Sequence, residues 1–320
     1  MAGDLNGKKY NLSGWEFALA GASTGVISRF LCQPLDVLKI RYQLQVTPLK
    51  SEVPVKYTSM TQTIRLMVKE EGFSSLWKGH IAAQLLSVTF GAVQFSTYEL
   101  LYDFGGRYKR YDSSWTDAVL SSCCGTVAGL AATVVSFPLD VVRTHLIYQG
   151  EPKVYKGVTD AISKIYIKEG LRGFSKGLPA AVIQQAPMSG LTFSFKGIFR
   201  DIWLWFFSQI DTHSQSSLST SGVVITSLLA GVCAKTVVYP LDLMKKRLQI
   251  QGFDVSKSCC NETMFCTTMK QCLLSTVKQE GFLGLFKGLS PSLLKAGIST
   301  AIYFTMYDLV CNLISHSKES

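Results

Sequence analysis

A proline-acid-base motif that occurs three times constrains this chain more than anything else in it. Pro34-Leu35-Asp36-Val37-Leu38-Lys39, Pro138-Leu139-Asp140-Val141-Val142-Arg143 and Pro240-Leu241-Asp242-Leu243-Met244-Lys245 lie 104 residues (138 − 34) and 102 residues (240 − 138) apart. A second motif follows each: Glu71-Gly72 with Trp77-Lys78-Gly79, Glu169-Gly170 with Lys176-Gly177, and Glu280-Gly281 with Phe286-Lys287-Gly288. Nine residues before each proline stands Gly25, Gly129 or Gly231, and thirteen before stands Gly21, Gly125 or Ser227. Small residues four apart let helices approach closely in lipid. Such self-similarity means one structural unit used three times.

The solvent of that unit follows from composition. Hydrophobic residues are 47% of the 320, charged residues 17%, and mean hydropathy is +0.21, more apolar than an ordinary soluble domain. Apolar segments fall in pairs, at 15–43 and 80–104, 117–148 and 178–206, and 221–251 and 289–314. Each holds the roughly 20 residues a bilayer core requires. Their glycines and polar residues imply tilted helices around a watery interior. Between the members of a pair lies a shorter amphipathic stretch. In Thr58 to Lys69, Ile64, Met67 and Val68 oppose Arg65 and Lys69, and Val158 to Lys168 behaves similarly; such stretches lie along a membrane surface. The expected fold is therefore an all-α membrane protein with six transmembrane helices in three tandem repeats, pseudo-threefold symmetry and short surface helices. The repeats are expected at 15–108, 109–212 and 213–314, with tails at 1–14 and 315–320 and both termini on one side.

Other classes find little support. Net charge is +10, from 32 Lys and Arg against 22 Asp and Glu. The basic residues gather in connections and at helix ends, as beside anionic lipid or an anionic solute, and make no nucleic-acid stripe. Of nine cysteines, Cys32, Cys123, Cys124 and Cys233 sit in apolar stretches as small packing residues. Cys259, Cys260, Cys266 and Cys272 share one connection without a CxxC pair or a nearby His, so free thiols and no metal are expected. His80, His145, His213 and His316 are isolated, and no Walker loop or GxGxxG turn appears. An enzyme and a bound cofactor are not expected. Met1 to Gly14 has neither a signal peptide's apolar run nor an Arg-rich presequence pattern, so any address is expected within the mature chain.

Charges inside a membrane span are costly and seldom idle. Here the first helix of every repeat carries an acid and a base three apart, on one face, just after a proline that can bend the helix end inward. Under threefold symmetry each acid can meet the base of the next repeat. Five residues before each proline, facing the cavity by helical spacing, stand Arg29, Thr133 and Lys235.

The pattern P-x-D-x-x-K/R, then E-G with a later K-G, three times over nearly the whole chain, resembles the mitochondrial carrier family. The resemblance implies an inner-membrane protein with one central solute site, gates on both sides and a functional monomer. Its termini would lie on the intermembrane-space side. The matrix gate would pair Asp36 with Arg143, Asp140 with Lys245, and Asp242 with Lys39, braced by Gln43 and Gln249, whereas Ile147 at the matching place cannot brace. Three partly exposed pairs of about 0–1 kcal/mol each would close a cavity without locking it. His145, where the family has a second base, would be a variant of that gate. The opposite gate departs from the family's aromatic-acid-x-x-base pattern: Tyr98-Glu99 precedes Tyr102, Lys196-Gly197 precedes Arg200, and Tyr307-Asp308 precedes Cys311. From Glu99, Arg200, Asp308 and Tyr102, one ionic bridge, Glu99 to Arg200, is available, so this cytosolic gate is expected to close less firmly.

The resemblance also places solute contacts at Arg29, Thr133 and Lys235, and on the second helices at Ser87, Gln184-Gln185 and Lys295. Arg29, Lys235 and Lys295 are three cations with no acid expected at the same depth. They need a counter-ion, and the solute is the natural one. A diphosphate or triphosphate would meet Arg29 in a fork and the lysines as point charges. Gln184 and Gln185 suit a heterocycle, with Phe90 or Tyr303 to stack on it. Thiamine pyrophosphate meets that description, as do nucleotides. The Gln pair is not the Gly-aliphatic pair of the family's nucleotide carriers, which favours the former, exchanged for a matrix nucleotide. A general nucleotide or coenzyme A exchanger is the alternative, and a proton-leak channel is the alternative of another class. The second motif, taken to end each surface helix, would bind cardiolipin phosphate through Gly72, Trp77, Lys78, Gly79, Gly170, Lys176, Gly177, Gly281, Phe286, Lys287 and Gly288. In repeat two Ser175 stands where the aromatic belongs, with Phe174 one place early.

Overall fold

The computed structural model describes residues 13–47, 56–107, 114–208, 220–253 and 266–319. The tail before Ser13, the expected repeat boundaries near 108 and 212, His213, Cys259 and Cys260 lie outside the described residues. Each repeat is a long helix, a short helix, a 3-10 turn and a second long helix. The signature helices are α1 (Gly14–Leu44), α4 (Ser114–Tyr148) and α7 (Thr220–Gln249). The surface helices are α2 (Met60–Glu71), α5 (Val158–Glu169) and α8 (Met269–Glu280), and the return helices are α3 (His80–Arg107), α6 (Leu178–Ser208) and α9 (Leu289–Glu319). Pro34, Pro138 and Pro240 lie inside α1, α4 and α7, which continue through them.

The surface helices start and stop on local chemistry. Ser59 Oγ and Thr268 Oγ1 accept from the backbone N–H of Gln62 and Gln271, satisfying free donors of α2 and α8. Repeat two has Gly157 at this place, and Asp160 instead accepts from the Lys156 N–H at 2.8 Å. Gly72, Gly170 and Gly281 end these helices at φ +82°, +64° and +75°, a region that glycine reaches without a Cβ penalty.

The Glu-Gly pair therefore stops each surface helix, and the aromatic-Lys-Gly element does not. It follows a 3-10 turn and opens the return helix. Gly79, Gly177 and Gly288 have positive φ and lie against the neighbouring signature helix. A Cβ would sit 3.2 Å from the Arg143 carbonyl oxygen at Gly79, 2.9 Å from that of Lys245 at Gly177, and 3.0 Å from that of Lys39 at Gly288. Each return helix is thus docked on the backbone of the next repeat's motif base. The last docking, repeat three onto repeat one, closes the ring.

Long contacts follow the same cycle: α3 packs on α4, α6 on α7, and α9 on α1. The signature helices also meet one another, while the return helices touch each other at most marginally. The core accordingly sits at the motif end, where Val37, Leu38, Val142, Ile147 and Ile250 pack together. Every residue from Val141 to Gly150 is buried. Outward faces carry exposed Val88, Phe95, Leu100, Phe193 and Trp205, an apolar surface that suits lipid. Among the described residues, three stretches are long and apolar enough by themselves to cross a membrane: Leu120–Tyr148, Gly222–Gln249 and Phe282–Ser315. The other long helices, α1, α3 and α6, have spanning length, with 31, 28 and 31 residues.

Gly177→Ala forces a side chain into a backbone carbonyl at positive φ, with an expected cost of about 1–3 kcal/mol. Gly21→Ala, where a Cβ meets nothing within 4 Å, is expected to be neutral. Thermal unfolding of both variants in detergent checks the difference.

Candidate functional site

Where α1, α4 and α7 converge, the three motifs form a closed ring of ion pairs. Arg143 Nη2 lies 2.7 Å from Asp36 Oδ2, Lys245 Nζ 2.8 Å from Asp140 Oδ2, and Lys39 Nζ 2.6 Å from Asp242 Oδ2. Each acid thus meets the base of another repeat. Gln43 Nε2 donates to Asp242 Oδ2 at 3.0 Å, and Gln249 Nε2 to Asp140 Oδ2 at 2.9 Å. Ile147 offers no donor and packs over Gly79 instead. The pairs are more buried than the partly exposed ones expected: Asp36 and Arg143 side chains are 6% and 10% exposed. At such burial, removing one partner strands the other charge, which costs far more than the intact pair contributes.

Above the ring, toward the cavity, stand the expected solute contacts. Arg29 Nη1 donates to the Ala83 carbonyl at 3.1 Å, and Lys235 Nζ to the Ser292 carbonyl at 3.1 Å. Both cations are half-buried, and the oxygens they donate to are backbone carbonyls, which carry no full charge. Lys295 differs. Its Nζ donates to Asp36 Oδ1 at 2.6 Å, so the expectation of three cations without an acid at their depth holds for two of them and fails for Lys295. The side chain is long enough to reach from α9 down to the acid on α1. Thr133 Oγ1 turns back to the Gly129 carbonyl at 2.7 Å. Gln185 lies against Gly129, where a Cβ would stand 2.9 Å from Nε2, so it fills the α4–α6 contact. Gln184 and Ser87 are half-buried on α6 and α3. Tyr303 stacks on Tyr307 with centroids 6.5 Å apart.

The mitochondrial carrier protein family model matches residues 10–109, 114–205 and 216–318, one match per repeat. The chain belongs to the mitochondrial carrier family. The mitochondrial thiamine pyrophosphate carrier of Bos taurus is 38% identical to this carrier over 314 residues, covering 97% of this chain and 96% of that one. The protein of the same name from Homo sapiens is 38% identical over 307 residues, 95% of this chain and 93% of that one. The mitochondrial thiamine diphosphate carrier 2 of Zea mays is 34% identical over 313 residues, 93% of each chain. These relatives are named as carriers, not enzymes, and the family places this carrier in a mitochondrial membrane.

The far end of the carrier is not brought together. Glu99 and Arg200 are exposed on α3 and α6, and no ion pair joins them. The expected bridge is absent from this conformation. Tyr102 stacks on Tyr98 at 5.8 Å and 15°, and Asp308 is half-buried on α9. The conformation is closed at the ring, with the Glu99–Arg200 pair unmade.

The structure adds Lys246, Arg41 and Arg247 to the residues expected from the sequence. Lys246 is buried and donates to Asp140 Oδ1 at 2.8 Å, Thr144 Oγ1 at 3.0 Å and Gln249 Oε1 at 3.0 Å. Its signal was the extra base where repeats one and two have Ile40 and Thr144. Below the ring, Arg41 holds Glu71 through two bonds of 2.6 Å, and Arg247 holds Glu280 at 2.6 Å. The same acids take Lys78 at 2.7 Å and Lys287 at 2.5 Å, and Glu169 takes Lys176 at 2.7 Å. The lysines expected to meet lipid phosphate are therefore paired with acids of their own repeats, and Lys78 also lies 3.5 Å from Glu151 of repeat two. Burial pushes the Glu71 carboxyl up, but Arg41 and Lys78 outweigh it and leave it below the usual value. A carboxylate so lowered adds stability above its unfolded pKa and loses it as pH falls through the folded one. His145 occupies the Arg41 and Arg247 place in repeat two. It belongs to this lower tier and not to the ring: Nε2–H donates to the Gln249 carbonyl at 2.9 Å, and Nδ1 lies 3.3 Å from the Tyr155 hydroxyl.

Asp140→Asn strands both Lys245 and Lys246, with an expected loss of about 3–5 kcal/mol. Asp242→Asn strands Lys39 alone, and a smaller loss, about 1–3 kcal/mol, is expected. Thermal midpoints of the two purified variants give the order.

Proposed function

We propose that this carrier moves thiamine pyrophosphate across the mitochondrial inner membrane into the matrix, in exchange for a nucleotide, by alternating access. One observation supports the reading: Arg29 and Lys235 donate to the backbone carbonyls of Ala83 and Ser292 on the return helices and to no carboxylate among the described residues. A buried cation without a full counter-charge is costly, and a diphosphate removes that cost by binding. The names of the relatives, which span nearly the whole chain, support the choice of solute. The ring of Asp36, Asp140 and Asp242 with their bases acts as matrix gate, and Glu99, Arg200, Asp308 and Tyr102 serve the cytosolic side. Both termini lie in the intermembrane space. The carrier works as a monomer without a cofactor.

Lipid phosphate, cardiolipin's in this membrane, sits at the junctions between repeats. A cavity of about 670 Å³ lies between the starts of α6 and α8, beside Gly177, Thr268 and Met269. A second, of about 190 Å³, lies between the starts of α3 and α5, beside Gly79, Gly157 and Val158. Two helix N-termini then face one anion, while Lys78 and Lys176 remain engaged with their glutamates.

Uptake of labelled thiamine pyrophosphate into proteoliposomes loaded with nucleotide tests the proposal. Arg29→Gln and Lys235→Gln are each expected to lower uptake by about tenfold or more, as loss of a charge-assisted contact does. Uptake of nucleotides or coenzyme A with none of thiamine pyrophosphate would replace the solute. Proton flux without any counter-solute would replace exchange by leak.

A further inference from the structure

The ring is not symmetric in how its acids are held. Asp242 has one base, Lys39. Asp140 has two, Lys245 and Lys246, and Lys246 sits within the ring, its side chain 6% exposed. Asp36 also has two, Arg143 and Lys295, but Lys295 comes from a return helix, at the level of the solute contacts, and its side chain is 29% exposed. The two bonds to Asp36 differ in quality. Lys295 donates a hydrogen bond at 2.6 Å, while the Arg143 contact at 2.7 Å lacks hydrogen-bond alignment.

We propose that Lys295 is the latch through which an anionic solute unlocks the ring: empty, it clamps Asp36, and a bound diphosphate draws it away. This rests on the proposed function and adds to it the residue that couples solute binding to the matrix gate. A ligand shifts a conformational equilibrium only by its differential affinity for the two states. In the closed state Lys295 is divided between Asp36 and the solute, and in the open state it belongs to the solute. A diphosphate concentrates more charge and more acceptor oxygens than one carboxylate, so it competes for the ammonium. Withdrawal leaves Asp36 on the poorly aligned Arg143 contact, and the ring loosens first between α1 and α4. A neutral or cationic compound has nothing to offer Lys295 and leaves the latch in place. The empty carrier stays shut toward the side that bears the surface helices.

Cys32 provides a reporter. It is 2% exposed and lies two residues before Pro34 on α1, behind the closed ring. Reconstituted carrier is treated with a membrane-impermeant thiol reagent from the surface-helix side, and modification at Cys32 is read by peptide mass spectrometry. In the wild type, inorganic diphosphate and thiamine pyrophosphate are each expected to raise the rate by about fivefold or more, the scale of ordinary coupling between sites. K295Q and K295M are expected to label at the raised rate with no anion present and to respond no further, and K295R to behave as wild type. Wild-type-like labelling of the solute-free neutral variants, with the anion response retained, overturns the latch. So does a wild type whose Cys32 ignores both anions. The solute-free comparison needs no transport, so a wild type that fails to take up thiamine pyrophosphate sinks the proposed function separately.

Discussion

A charge taken out of water must find its opposite, and the structure is organised around that requirement. Three signature helices meet at one end, and the acid and base that follow each proline meet those of other repeats. Each acid takes its partner from another repeat and not from the base three residues on in its own helix. The ring therefore exists only when all three repeats are assembled. The glycines at 79, 177 and 288 serve the same end, since each lets a return helix rest on the backbone that carries the next base. Backbone contact and ion pair are two sides of one joint.

Much of this was legible because it depends on spacing along a single helix. The motif repeats fix which residues share a face and that each acid can meet the base of another repeat, and the resemblance to the family supplies the pairs Asp36–Arg143, Asp140–Lys245 and Asp242–Lys39, which the structure forms. What escaped depends on distances between helices. Lys295 looked isolated because no acid lies near it on α9, whereas its partner is on α1. Lys78, Lys176 and Lys287 looked free for lipid because the glutamate seven residues earlier is brought back to them by a glycine cap and a 3-10 turn. Glu99 and Arg200 can form an ion pair by type, but which end is closed is a property of the conformation.

Departures from symmetry carry the information that repetition cannot. Repeat two has His145 in place of a permanently charged arginine, no side-chain cap at Gly157, and Ser175 in place of the aromatic. Its lower tier is accordingly built from rings, with His145, Tyr148 and Tyr155 around Phe253. Repeat three adds Lys246, and repeat one shares its acid with Lys295. Three near-copies of one unit thus hold one acid with a single base and two acids with a pair, one of those pairs reaching into the cavity.

The docking of α9 on α1 also says something about assembly. The helix that completes the circle is the last in the chain, and its glycine hinge, Gly288, is what seats it against Lys39. Until residues beyond 288 are inserted, the first repeat has an unsealed flank facing lipid and Asp36 lacks its lysine. Contacts between the beginning and the end of a chain form late by the cost of closing so long a loop. The seam between first and last helix is therefore the natural place for the finished bundle to come undone.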